Sequence, residues 1–179
     1  DSIRVLHEGD DAGVLWISTD YASLLRYDIA QDRFDDWTSR LPATDGQRPG
    51  GIIGIADVGD GRLWLATGNG LLRLSPATGQ VEKIDLGKFS NIGLDSIVVD
   101  RRGNLWLGTE DIGALVYHPA SGQLSLDYSS RGSRTGPLSH PRVRALLEDR
   151  QGRIWFGTGD GVDRLDPASG VLKHFRHDP

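Results

Sequence analysis

One seven-residue phrase occurs four times in this chain of 179 residues. It reads Gly, any residue, Leu or Ile, Trp, a bulky apolar residue, Gly/Ala/Ser, then Thr, at residues 13–19, 61–67, 103–109 and 152–158. Its tryptophans are Trp16, Trp64, Trp106 and Trp155, separated by 48, 42 and 49 residues. Self-similarity at this period marks a propeller or a solenoid, in which no single repeat can bury its apolar face alone.

The last copy shows how a repeat is made. Residues 143–148 read as a strand, and residues 149–152 as a turn, with Asp149 placed to bond the backbone ahead of it. Residues 154–156 form an apolar strand around Trp155, and residues 158–161 turn again. Residues 162–165 are a third strand, Pro167 to Gly170 close a tight turn, and residues 171–175 are a fourth strand. The 24 glycines fit many such turns. Repeats are expected at about 2–37, 52–84, 92–128 and 143–176, joined by polar connections at 38–51, 85–91 and 129–142. In the first copy, residues 28–32 replace the Pro-bearing turn. No helical period is sustained anywhere. The expected fold is all-β: four consecutive four-stranded antiparallel meanders, as propeller blades within one segment.

Leu63, Trp64 and Leu65 in succession exclude a strand with one wet face, which would alternate. Propeller blades are covered on both faces, so the tryptophans are expected to be buried wedges between blades. The small residue before each Thr is expected where a neighbouring blade comes close. A ring usually mixes strands from both chain ends in one blade, and four complete repeats leave no shared blade. A fragment of a larger propeller is therefore expected, with apolar outer faces that seek further blades or a second copy. The absence of Met is expected of a segment cut from something longer.

Net charge is −5, with Lys and Arg scattered singly, so no basic stripe could follow a nucleic acid backbone. No apolar run reaches the ~20 residues that span a bilayer. With no Cys, there is no disulfide, thiolate metal ligand or Cys nucleophile. His174 and His177 stand three apart near the C-terminus and His140 lies in a connection. Ligation needs more, so they are read as surface side chains, with no metal or cofactor expected.

The pattern Asp-x-x-Gly-x-Leu-Trp-Leu-Gly-Thr-x-x-x-Gly-Leu-x-Arg-Leu resembles the two-component regulator propeller repeat. Residues 149–165 and 57–74 match closely, 100–117 match except that Val116 replaces Arg, and 13–27 match from Trp16 onward. The resemblance implies the periplasmic sensory half of a membrane-anchored histidine kinase or diguanylate cyclase, and carbohydrate fragments as a ligand class. No kinase or receiver motif lies in the chain, so this segment is expected to be non-catalytic. Two other propeller types compete. One is a streptogramin-lyase-like enzyme, whose His and Glu do not align with His140 and Glu110. The other is a Trp-Asp-repeat scaffold, whose Gly-His and Trp-Asp marks are missing.

Ligand contacts are expected on the edge carrying the turns between second and third strands. The candidates there are Asp20, Tyr21, Asn69, Glu110, Asp111 and Asp160. Tyr21 could stack on a sugar ring and the carboxylates could accept hydroxyl protons. The recurring Arg26, Arg73 and Arg164 are read as structural, pairing within or between blades.

Overall fold

The computed structural model describes residues 2–9, 13–20, 23–42, 50–129 and 137–176, apart from the side chains of 126, 127 and 129. Among these residues, sixteen strands make four antiparallel sheets, each a meander in chain order. The first sheet holds β1 (Ile3–Glu8), β2 (Val14–Thr19), β3 (Leu24–Asp28) and β4 (Arg33–Asp36). The second holds β5 (Ile52–Asp57), β6 (Leu63–Thr67), β7 (Gly70–Ser75) and β8 (Gln80–Lys83). The third holds β9 (Leu94–Val99), β10 (Leu105–Thr109), β11 (Gly113–His118) and β12 (Gln123–Ser129). The fourth holds β13 (Val143–Glu148), β14 (Ile154–Thr158), β15 (Gly161–Asp166) and β16 (Val171–Phe175). Short 3-10 turns at Thr38–Arg40 and Gly87–Phe89 interrupt connections where the sequence carries no helical signal. By internal contacts the chain divides into two compact units, residues 1–93 and 94–179, with two sheets in each.

Each position of the repeated phrase has a physical reason. In the third sheet, Asp100 accepts the amide N–H groups of Arg102 and Asn104, both at 2.9 Å, which fixes the turn. Its other oxygen accepts the Trp106 indole N–H at 3.0 Å. Asp149 repeats this with the Gln151 and Arg153 amides and with Trp155 at 2.8 Å. One carboxylate thus closes the turn and locks the tryptophan six residues on. The phrase's Thr folds back on the next turn: Thr67, Thr109 and Thr158 donate to the carbonyls of Gly70, Gly113 and Gly161 at 2.7–3.0 Å. The recurring arginines lie opposite the tryptophans across the strand pair, Arg26 on Trp16, Arg73 on Trp64 and Arg164 on Trp155. Arg73 and Arg164 place their guanidinium groups over those indoles, each 5.4 Å from the ring centroid. Arg26 and Arg73 also form ion pairs within their own sheets, Arg26 with Asp28 and Asp35 and Arg73 with Glu82.

The Pro-bearing turns end on a glycine in the left-handed region, as at Gly170 with φ 70°. The first sheet has Asp32 there, with φ 48°. Asp tolerates that region better than most residues, and the Tyr27 hydroxyl holds its carboxylate at 2.6 Å.

Inside each unit the two sheets meet by one rule. The tryptophan face of the earlier sheet takes the residues that flank the tryptophan in the later sheet. In the first unit, Val14, Trp16 and Leu24 pack with Ile52, Ile55, Leu63, Leu65, Leu72 and Leu74. In the second, Trp106, Ala114 and Val116 pack with Val143, Ile154, Phe156 and Leu165. The Trp106 and Phe156 ring centroids lie 5.9 Å apart. The small residue of the phrase marks the closest approach. Ser18 donates to the Ile52 carbonyl at 3.0 Å. A Cβ on Gly108 would lie 2.5 Å from the Val143 carbonyl oxygen.

Trp16, Trp64 and Trp106 are buried, but Trp155 is only half-buried. The expectation of a core wedge therefore needs correcting at Trp155. Its ring stacks on Phe175 of the same sheet, with centroids 5.8 Å apart, and Leu147, Val162, Val171 and Phe175 around it are exposed. In the first sheet the opposite kind of face is open, with Leu6 and Phe34 exposed.

Candidate functional site

The turns between second and third strands carry most of the candidate residues. In the first unit, Asp20 is exposed and accepts the Arg4 guanidinium at 2.5 Å. That hydrogen bond holds its carboxyl below the usual carboxylate range, against a smaller opposing effect of burial. Asn69 is half-buried, and its amide N–H donates to Thr67 Oγ1 at 3.1 Å. Tyr21 lies outside the described residues. In the second unit, Glu110 stands 3.6 Å from Arg142, which is bound more closely by Asp95 at 2.7 Å. Asp111 is exposed, and Asp160 pairs with Arg176 at 2.7 Å. Three of the four candidate carboxylates are thus already matched with arginines.

His174 departs from the sequence reading. It sits in β16 and not on a frayed end, with Nδ1 2.7 Å from Oδ1 of Asp163. Asp163 is fully buried, and its Oδ2 accepts the Ser139 amide N–H at 2.7 Å. A cleft of about 520 Å³ opens there, lined by Pro137, Leu138, Ser139, His174 and Arg176. His140 accepts the Arg142 amide N–H at 3.0 Å, which organises the same connection, and His177 lies outside the described residues. Among the described residues, no group of three or more His, Asp or Glu side chains could hold a metal ion.

Two further clefts open on the opposite edge, one within each unit and at matching places. The first unit's, about 380 Å³, lies between Trp16, Arg26 and Trp37 on one side and Leu63, Pro76 and Ala77 on the other. Trp37 meets Trp16 edge to face, with centroids 4.9 Å apart. The second unit's, about 300 Å³, is lined by Trp106, Tyr128, Asn104, His118, Pro167 and Ala168, among others. Here His118 is fixed by Asn104 at 2.7 Å and by Ser125 at 3.0 Å. Burial pushes the nearby Asp100 carboxyl up, but the Trp106 and Asn104 hydrogen bonds outweigh it and hold it below the usual carboxylate range. Sequence reasoning missed these clefts because their walls come from turns treated as structural. The available signal was the repeated Pro-Ala pair at Pro76-Ala77 and Pro167-Ala168.

Solved structures share this fold. The extracellular domain of a protein assigned to a hybrid two component system of B. thetaiotaomicron is similar over 99% of this chain and 22% of its own length, with TM-score 0.77 and 19% identity. One assigned to a one component system of B. thetaiotaomicron has the same coverage and TM-score at 24% identity. Virginiamycin B lyase of Staphylococcus aureus is similar over 99% of this chain and 56% of its own, with TM-score 0.72 and 15% identity. The chain thus spans about a fifth of the two extracellular domains. No curated protein matches it. The model of the two component regulator propeller family matches residues 88–111 and 137–160. Each match runs from a connection through the first two strands of a sheet to the turn beyond. At those two stretches the chain is similar to the two component regulator propeller repeat.

Proposed function

We propose that this chain is a non-catalytic, ligand-sensing segment on the periplasmic side of a two component sensor kinase or related receptor. The observation that carries the reading is the family match at two of the four repeats. The likeness to a lyase rests on the shared fold alone, and fold does not imply function. Ligand recognition falls to the edge bearing Asp20, Tyr21, Asn69, Glu110, Asp111 and Asp160, and the ligand is a carbohydrate fragment or another small polar molecule. Exposed carboxylates paired with arginines can exchange a partner for a ligand hydroxyl at little cost, since such pairs contribute only about 0–1 kcal/mol.

The open tryptophan face of β13–β16 and the open flanking face of β1–β4 are the two halves of the interface that each unit contains. Further repeats of the parent chain fit them. Chromatographic mass tests this on the isolated segment: a second copy taking their place would appear as a dimer or larger assembly.

A thermal-shift screen of sugars and small metabolites on the intact parent protein tests the sensing role. A ligand at 100 times its dissociation constant is expected to stabilise by about 2.7 kcal/mol. The gene beyond residue 179 is expected to encode a membrane span and a kinase or cyclase. A stop codon there sinks the reading.

A further inference from the structure

The four sheets share one register, and it exposes a misfit. Opposite the residue after the tryptophan lie Leu25, Leu72 and Leu115 in the first three sheets. In the fourth, Phe156 faces Asp163. Leu72 and Leu115 are buried, as Asp163 is. An apolar side chain is thus replaced by a carboxylate at a wholly buried site. Asp163's cross-strand partner is His174, where Leu72 has Lys83. A buried ionic or polar pair is often no more stable than an apolar replacement of similar size. A pair kept at such a site is a candidate for function.

We propose that His174, oriented by the buried Asp163, is the recognition group of a binding site for small oxyanions, with Arg176 and Ser139 as its partners. Both oxygens of Asp163 are occupied, one by the Ser139 amide N–H and one by His174 Nδ1. Since a carboxylate oxygen accepts, Nδ1 donates, and Nε2 is the ring nitrogen left to meet a ligand. His174 is half-exposed and lines the 520 Å³ cleft. Arg176 lines it too, and its present partner Asp160 is exposed and replaceable. The Thr158 hydroxyl donates to the Gly161 carbonyl, so Ser139 donates to Thr158 at 2.9 Å and can turn that donor to a ligand by giving up this bond. A carboxylate or sulfate in the cleft would accept from Nε2–H of the imidazolium, from the guanidinium and from Ser139. Among the described residues, the charged groups around His174 are Asp163 on β15, Arg176 beyond β16 and Asp160 in the turn. The site stands on these residues and does not depend on what the parent protein signals.

The test uses the segment itself, with sulfate and acetate as probes at constant ionic strength and glycerol as a neutral control. The His174 Cε1–H resonance, assigned by its loss in His174→Gln, is followed by NMR. Saturable shifts are expected with sulfate or acetate and none with glycerol. Response to sulfate alone marks a tetrahedral-anion site, and response to acetate alone a carboxylate site. The paired variant Asp163→Leu with His174→Lys rebuilds the Leu72–Lys83 pair of the second sheet. It is expected to melt no lower than wild type; anion binding in it, followed by the Ser139 amide resonance, is expected to weaken at least tenfold. The proposal is overturned by no saturable shift up to 100 mM, or by unchanged anion binding in the paired variant. A paired variant that melts well below wild type also overturns it, because the dyad would then be a structural clamp.

Discussion

The two units contain the same interface built twice, and they differ most at one position. In the first unit, Leu72 joins an apolar cluster with Trp16, Leu63, Leu65 and Leu74. In the second, the residue in that register is Asp163, bound to His174 and to the Ser139 amide. The repeat therefore fixes backbone and register more tightly than it fixes chemistry. The carboxylate stands where two donors have been brought to it, and leucines fill the other three places in the row.

The sharpest way to break this comparison is to move the carboxylate. Leu72→Asp puts it into the apolar cluster of the first unit, where Lys83 is the cross-strand neighbour. Burying a charge without prepared partners should cost about 3–5 kcal/mol. Urea unfolding followed by tryptophan fluorescence measures it. A loss below about 1 kcal/mol would show that the interface accommodates charge generally, and the special status of Asp163 would disappear.

The next test concerns the closest approach of the sheets. Gly108→Val forces a side chain against the Val143 carbonyl and the Ser96 hydroxyl, which a Cβ would already approach to 2.5 and 2.2 Å. Overpacking of this kind should cost about 3 kcal/mol. Gly157→Ala is the control within the same unit. The nearest atom its Cβ would meet is the Ala145 Cβ, at 3.1 Å, so a change under about 1 kcal/mol is expected.

Much of this was legible beforehand, for physical reasons that can be named. Turn residues announce themselves locally, so the four meanders, the glycine turns and the bond of Asp149 to the backbone ahead of it follow from short spacings, whereas the bonds of Asp100 and Asp149 to the tryptophans do not. The small residue at Ser18 and Gly108 was expected at a close approach between sheets, and the carbonyls of Ile52 and Val143 sit there. The site was far less legible. Asp163 looks like one more polar strand residue until cross-strand register shows that it replaces Leu, and His174 looks like a terminal side chain until β16 places it. Trp155 misled in the other direction. The sequence repeats the phrase, but burial depends on a covering sheet that the phrase does not encode.

Acid probes the tryptophan lock. Asp100 has its carboxyl held below the ordinary range, so it contributes stability that is present above the unfolded value near 3.9 and lost as pH falls through the lower folded value. The second unit should therefore weaken below about pH 4, by roughly 1 kcal/mol given the partial exposure of the site. Asp100→Ala should lose that stability at neutral pH and flatten this part of the acid response. Melting temperatures of both proteins between pH 6 and pH 2.5 measure the difference. An unchanged acid slope in the variant would mean that Asp149, which makes the same contacts to Trp155, carries the response.

The smallest effect concerns the polar rim of the second unit. Arg101 reaches from its turn to Glu148 of the next sheet at 2.8 Å, and its guanidinium also donates to the Asp149 carbonyl at 2.9 Å. Arg101 is about half exposed, so water and salt compete with both contacts. Arg101→Ala should cost about 0.5 kcal/mol in dilute buffer. In 1 M salt the Debye length falls to about 3 Å and most of that difference should vanish. The Trp106–Phe156 contact is apolar and should not weaken with it. Unfolding of wild type and variant at the two ionic strengths separates these contributions. If the cost persists in high salt, the guanidinium's hydrogen bond to the uncharged Asp149 carbonyl, and not the ion pair, ties the turn of the third sheet to the fourth.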